Sequence, residues 1–311
     1  VPDKTTRPLW LAYLGLTLTP LFWAGNAVVA RGVVDSIPPL SLSFWRWVLA
    51  LAILLPIGAP QVRRQWPLVR QRWRSMLALA TFSVGAFNTL LYLSAQTTTA
   101  LNITLVNSTI PVMVALLAWL ILGDRMRPVQ LIGIGLAIAG VLVVVGRGDW
   151  RTFTALNFQP GDLIMVAAVA SWGLFSVLLR RQAVPLTPIA FLTVQVALGA
   201  LVILPFYLLD LLFFSGGFDL TPSVAPTLLF VAIFPGLLAY AFWNHGVHWV
   251  GPARAAMFMY LNPVFAALLA GLFLNERLSV FHLIGGLLIL FGLLLTTRQP
   301  RPVRPPATLP E

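Results

Sequence analysis

The sequence predicts an all-α polytopic membrane protein: ten transmembrane helices forming two inverted five-helix repeats. Three observations carry this prediction. The composition is 59% hydrophobic and 9% charged, whereas a soluble domain carries about 25% charged residues. Ten apolar runs alternate with short charged segments. The second half of the chain also matches the first at its least common residues.

The apolar runs, numbered here as spans 1 to 10, are Leu9–Ala30, Leu40–Ile57, Met76–Gln96, Ala100–Leu122, Val129–Val145, Leu163–Leu179, Pro188–Leu209, Val224–Gly246, Arg254–Leu274 and Phe281–Thr297. Each is close to the ~20 residues that cross a hydrocarbon core as helix. They lack the period-2 alternation of barrel strands, and lipid leaves no other way to pair the backbone. Span 1 follows Lys4 and Arg7 as a signal peptide would. It is too long for a signal h-region and has a counterpart later in the chain, so it reads as mature structure.

The cations set the orientation. With the N-terminus inside, the inner segments hold fifteen: Lys4, Arg7, Arg63, Arg64, Arg70, Arg72, Arg74, Arg125, Arg127, Arg180, Arg181, Arg254, Arg298, Arg301 and Arg304. The outer segments hold four, Arg31, Arg147, Arg151 and Arg277, and Arg46 lies within span 2. The positive-inside rule then places both termini in the cytoplasm, in a membrane of the bacterial inner type. The net charge of +11 therefore reflects topology. No basic face is interleaved with aromatics, and nucleic acid is not an expected partner. The absence of cysteine excludes disulfides, thiolate metal sites and cysteine nucleophiles. Residues 298–311, rich in Pro and Arg, read as a disordered cytoplasmic tail.

The repeat appears at two offsets. At 152 residues, Pro111-Val112 pairs with Pro263-Val264, Leu131-Ile132-Gly133 with Leu283-Ile284-Gly285, and Gly140 with Gly292. At 149 residues, Trp23 pairs with Trp172, Arg31 with Arg180, Pro39 with Pro188 and Leu55-Pro56 with Leu204-Pro205. The repeats are 1–150 and 151–297. Each holds five spans, an odd number, so the second enters the membrane from the opposite side. Inverted repeats of this kind characterise secondary transporters, with the substrate site at the midplane between the halves.

The chain resembles the drug/metabolite transporter superfamily in its ten-helix EamA branch. The resemblance covers Leu9 to Thr297. It rests on Phe22-Trp23-Ala24-Gly25-Asn26, Arg46-Trp47, Pro111-Val112 with the acidic corner at Asp124, Pro263-Val264 and Asn275-Glu276-Arg277. It departs from the family's pattern at Ala24, at Asp124 and at Gln195, which stands where Arg46 has its counterpart. More narrowly, the chain is similar to the aromatic amino acid exporters of the YddG type. The resemblance implies efflux of small metabolites, with helices 1, 3, 4, 6, 8 and 9 around a central cavity.

Pro111 and Pro263 sit mid-helix and deprive the carbonyls of Asn107 and Met259 of a donor. Pro235-Gly236 interrupts span 8, and Gly85 lies at similar depth in span 3. These five are hinge candidates, with relief of packing as the alternative. The substrate-binding candidates are Trp23, Asn26, Asn88, Tyr92, Asn102, Asn107, Trp172, Phe175, Tyr240, Trp243, Asn244, Tyr260 and Asn262. Asn is costly in lipid and faces the bundle interior, where it contacts substrate or a neighbouring helix. As a set they are polar and aromatic but uncharged, and no Asp or Glu falls deep within a span. That set suits a neutral or zwitterionic substrate with an aromatic or large apolar body. Arg46 reads as a structural clamp, with a functional charge as the alternative. His245 and His248 read as interfacial, and Asp124 and Glu276 as corner salt bridges or helix caps.

Other signals carry less. Gly146-Arg147-Gly148-Asp149 matches a protease pattern but falls in a loop. The sequons at Asn102 and Asn107 lie inside a span. There is no Walker motif, and no metal site or cofactor is expected. A membrane-embedded enzyme would need convergent acid or base groups at depth, which the spans lack. The expectation is an alternating-access exporter, a monomer in the bilayer, coupled to a proton or to no ion. An exporter or uncoupled facilitator of another neutral metabolite or drug is the alternative.

Overall fold

The computed structural model describes residues 9–123, 126–149, 159–182, 184–222, 224–250 and 258–296. The predicted tail, the Asp124-Arg125 corner, Arg254 and the side chains of Asn244 and His248 lie outside this description. Every regular element among the described residues is helical. Among the described residues, seven helices are long and apolar enough to cross a membrane: Leu9–Gly32, Pro39–Arg64, Trp73–Ser94, Pro128–Val145, Pro160–Gln182, Pro188–Ser215 and Val224–Trp243. Span 4 is a pair, Ala100–Asn107 and Ile110–Leu122, bent by 41°. Spans 9 and 10 are the shorter apolar helices Leu261–Leu274 and Val280–Thr296. These account for the ten predicted runs.

Local chemistry sets the helix ends. Spans 2, 5, 6 and 7 each begin on a proline, Pro39, Pro128, Pro160 and Pro188, where the missing N–H is one the helix start leaves unbonded anyway. Spans 4 and 9 end on repeat mates in the left-handed conformation, Gly123 at φ 71° and Asn275 at φ 54°, the residue types that adopt it at least cost.

The glycine contacts give the relative direction of the halves. A Cβ on Gly133 would lie 2.6 Å from the Gly292 carbonyl oxygen, and one on Gly140 would lie 2.7 Å from that of Gly285. Early residues of span 5 thus meet late residues of span 10, so the two mates run antiparallel with backbones in contact. Spans 2 and 7 pair in the same sense, Trp45 reaching Tyr207 and Gly58 meeting Thr193. Antiparallel mates mean inverted repeats. Around the middle, span 1 packs on spans 8 and 9, and span 6 packs on spans 3 and 4. One arrangement becomes the other when the halves are exchanged.

The exchange extends to the irregularities of spans 3, 4, 8 and 9, while a further π turn at Leu211–Ser215 belongs to span 7 alone. Span 3 contains a π turn at Thr81–Phe87 and span 8 one at Ile233–Leu238, and Thr81 plus 152 is Ile233. The first holds Gly85 and the second Pro235-Gly236. Span 4 breaks at Ser108-Thr109, just after the carbonyl that Pro111 leaves without a donor. Span 9 turns at Met259-Tyr260, at the carbonyl facing Pro263. The Pro and Gly positions named from sequence therefore all fall at helix irregularities, matched between the halves. π turns in membrane helices recur at functional sites.

Candidate functional site

Between the halves runs a chain of aromatic rings. Trp23 of span 1 lies 6.0 Å from Tyr240 and 6.1 Å from Trp243, both in span 8. Trp172 of span 6 lies 6.5 Å from the same Tyr240, 5.1 Å from Phe175 and 4.9 Å from Phe87 of span 3. Trp23 and Trp172 are repeat mates, and the inversion brings them to a shared ring. Five of the predicted residues, Trp23, Trp172, Phe175, Tyr240 and Trp243, are joined this way. Phe87 joins them although nothing in the sequence pattern marks it.

Three more predicted residues, Asn26, Asn88 and Tyr92, converge on Arg46. Its Nη1 donates to Asn26 Oδ1 at 3.3 Å, Asn88 Oδ1 at 2.9 Å and the Tyr92 hydroxyl oxygen at 2.6 Å. Tyr92 in turn donates to Asn26 Oδ1 at 2.9 Å. The guanidinium carbon sits 4.7 Å above the Trp47 ring. Arg46 is 2% exposed. It ties spans 1, 2 and 3 together, which is the clamp geometry. Arg46 Nε is buried and has no partner among the described residues.

Asn102 belongs to a different cluster, at the end of the bundle that carries Glu276. There Asp162 Oδ1 accepts from Thr98 Oγ1 and from Asn102 Nδ2, the latter at 3.0 Å. His282 Nε2 meets Asn102 Oδ1 at 3.1 Å, while His282 Nδ1 accepts the Ser279 backbone N–H at 3.0 Å. An Nδ1 that accepts and an Nε2 that faces an amide oxygen define the neutral imidazole with its proton on Nε2. Asp162 is 0% exposed, and its Oδ2 has no partner among the described residues. The acid is buried at the end of span 6 and not deep within it. The helix of span 6 begins at Pro160 rather than Leu163, which carries Asp162 into its first turn.

The same end is tied by further bonds. Glu276 caps span 4 by accepting from Ala100 N at 2.9 Å and Leu101 N at 3.1 Å, an acid at a helix N-terminus. Arg31 donates to the Ala95 and Gln96 carbonyls that end span 3. Gly161 N donates to Thr97 Oγ1 at 2.7 Å.

The remaining candidates lie apart from the aromatic chain. Asn262 Nδ2 donates to the Pro20 carbonyl at 3.2 Å, an interhelical tie. Asn107 sits at the bend of span 4 with Oδ1 buried and without a partner among the described residues. Tyr260 packs against the aliphatic cluster of Val112, Ile134, Ala137 and Leu293. His245 is exposed and lies 6.1 Å from Trp249. An apolar groove of about 410 Å³ opens between spans 4, 5 and 6 beside the bend, lined by Thr109, Met113, Ile138 and Val166 among others. Its wall is aliphatic and does not include the rings. No cluster of three potential metal ligands occurs among the described residues.

Comparison with known proteins agrees with this architecture. The EamA-like transporter family matches twice, over residues 10–146 and 159–298, one match in each repeat. An uncharacterized transporter of Bacillus subtilis (strain 168), YyaM, is 29% identical over 285 residues, covering 91% of this chain and 92% of the relative. A probable terminal-alkyne amino-acid exporter of Streptantibioticus cattleyicolor is 26% identical over 299 residues, covering 95% of each chain. One solved crystal structure superposes with a TM-score of 0.59 over 92% of this chain and 96% of the other, at 21% identity. That is a likeness of fold.

Proposed function

The chain belongs to the EamA-like transporter family, and from that premise we propose that it exports a zwitterionic amino acid with an aromatic or large apolar side chain, by alternating access. It is a multi-pass membrane transporter and not an enzyme. One observation carries the finer reading: the uncharged ring chain Trp243–Trp23–Tyr240–Trp172–Phe175, assembled where both repeats meet. At these spacings the rings pack on one another, and their free faces would contact an aromatic or apolar side chain and an ammonium group. The exporter of S. cattleyicolor, whose name specifies an amino acid, is consistent with it. The helix breaks at matching depth in spans 3, 4, 8 and 9 are the bending points in this reading. The fifteen-to-four cation distribution puts the Glu276 end outside and both termini inside. Because the chain has no cysteine, single introduced cysteines with an impermeant thiol reagent report that orientation directly.

Counterflow tests the substrate class. Proteoliposomes are loaded with unlabelled tryptophan, and entry of labelled tryptophan, phenylalanine, threonine and a dipeptide is followed. Transient accumulation of the two aromatic amino acids is the expected outcome. Failure of all four overturns the amino-acid reading and leaves the family assignment in place. Repeating the assay across an imposed pH gradient separates proton coupling from facilitated exchange.

A further inference from the structure

We infer that Arg46 binds the carboxylate of the transported amino acid through its Nε–Nη2 edge, while its Nη1 holds spans 1 and 3. The inference rests on the amino-acid reading above and adds the group that recognises the acid end.

A guanidinium stays protonated in any protein environment, so Arg46 cannot shed its charge on burial. All its hydrogen-bond partners are neutral: Asn26, Asn88 and Tyr92. No carboxylate pairs with it among the described residues. A buried cation without an anion is costly. The Trp47 ring beneath it stabilises the charge across its face but accepts nothing from the in-plane N–H groups.

Those N–H groups are used unevenly. All three bonds leave from Nη1. Nε is buried without a partner, and Nη2 makes no bond to a described residue. Nε and Nη2 together form one of the two guanidinium edges that take a carboxylate in parallel, bidentate fashion. Nη1 is committed to the clamp, so the other edge is the one left without a partner among the described residues; it is closed over by the span 8 backbone here, and a ligand reaches it when the span 8 π turn moves aside.

The position of that edge matters equally. A Cβ built on Gly236 would stand 3.7 Å from Nε and 3.9 Å from Nη2. The backbone of the span 8 π turn thus passes beside the edge, and glycine keeps a side chain off it. Tyr240, the ring shared by Trp23 and Trp172, lies four residues further along the same span. An amino acid held by its carboxylate here would extend its side chain along the rings.

The repeat supplies an internal comparison. Gln195, the mate of Arg46, also reaches a π turn: its Nε2 donates to Ser83 Oγ of span 3 at 2.7 Å. The geometry is duplicated but the charge is not. A single charged edge gives a ligand with one acid group one preferred orientation.

Two substitutions challenge the edge without removing the clamp. Asn88→Asp is isosteric and places a carboxylate at the 2.9 Å contact with Nη1, neutralising the cation in place. Gly236→Ala puts a methyl group beside the Nε–Nη2 edge. That methyl also lies 3.1 Å from the Val231 carbonyl oxygen, so an amine ligand controls for general damage. Binding of labelled tryptophan and labelled tryptamine, which lacks the carboxylate, is measured by scintillation proximity on purified, monodisperse protein. Wild type should bind tryptophan at least tenfold more tightly than tryptamine. Both variants should lose that preference through weaker tryptophan binding, with tryptamine affinity within about twofold of wild type. A preference unchanged in both variants, or equal loss of both ligands, overturns the inference alone. A wild type that binds neither overturns the amino-acid reading and this inference with it.

Discussion

Arg46 and Gln195 occupy equivalent positions in two copies of one fold, on spans 2 and 7. Both are buried, and both approach a π turn of the opposite half. Gln195 completes a closed neutral set, because Ser83, its acceptor, itself donates to the Leu79 carbonyl. Arg46 completes only half a set and leaves one edge without a partner among the described residues. A second pair of mates differs in burial. Asp162 is fully buried, while Tyr13, 149 residues earlier, is 39% exposed. The backbone symmetry is held by features that cannot vary much, such as the glycine seam of spans 5 and 10. The departures from symmetry are buried ionisable groups, Arg46 and Asp162. Packing enforces the symmetry, and in the proposed amino-acid reading a substrate with distinct ends requires that it be broken.

The largest effect should come from removing the asymmetric cation. Arg46→Met leaves Asn26, Asn88 and Tyr92 without their shared donor in a buried site. Unsatisfied groups of this kind cost ~1–3 kcal/mol each, and Asn26 still accepts from Tyr92. Removing the buried charge offsets part of this, and a net loss of about 3 kcal/mol is expected in an SDS titration in mixed micelles. A loss below about 1 kcal/mol would show that Nη1 does not clamp the three spans. Next in size is Asp162→Ala, which strips the acceptor from Thr98 and Asn102 and should cost about 2 kcal/mol. Asp162→Asn keeps an acceptor oxygen toward both donors and should stay within about 1 kcal/mol of wild type. If the Asn variant were as unstable as the Ala variant, the negative charge itself would be holding that end together. The contrast between charge types would then fail, because Asp162 would need its charge as Arg46 does.

Much of this was legible in the sequence, for reasons specific to membranes. Twenty-residue apolar runs revealed the spans, and paired Trp and Pro positions revealed the repeat. Pro111 and Pro263 marked breaks because the lost donor leaves a carbonyl unbonded wherever the helix sits. The π turns were only half visible. Gly85 and Pro235-Gly236 pointed to the places, but a five-residue hydrogen-bond step has no residue signature. Asn26, Asn88 and Tyr92 were recognisable as interior polar groups. That they meet one arginine from another span is a tertiary fact no local pattern encodes. Asp162 was missed because hydropathy starts span 6 at Leu163. Pro160 at the first helical position followed by an acid in the first turn is a helix-start signal that would have moved the boundary outward.

The smallest expected effect tests the neutral side of the comparison. Gln195→Leu keeps the approximate shape of the side chain and removes one hydrogen bond. Ser83 Oγ retains its bond to the Leu79 carbonyl oxygen at 2.6 Å, so no buried hydroxyl hydrogen is left without an acceptor. The remaining loss is that of one neutral bond, ~0.5–1.5 kcal/mol, partly offset because a buried polar amide is replaced by an apolar group. The SDS midpoint should therefore fall only slightly, and the preference for tryptophan over tryptamine should be unchanged. A variant that folded well but lost that preference would place the carboxylate near span 7 instead of span 2. The halves would then bind substrate through the opposite mate, with Arg46 reduced to its clamp.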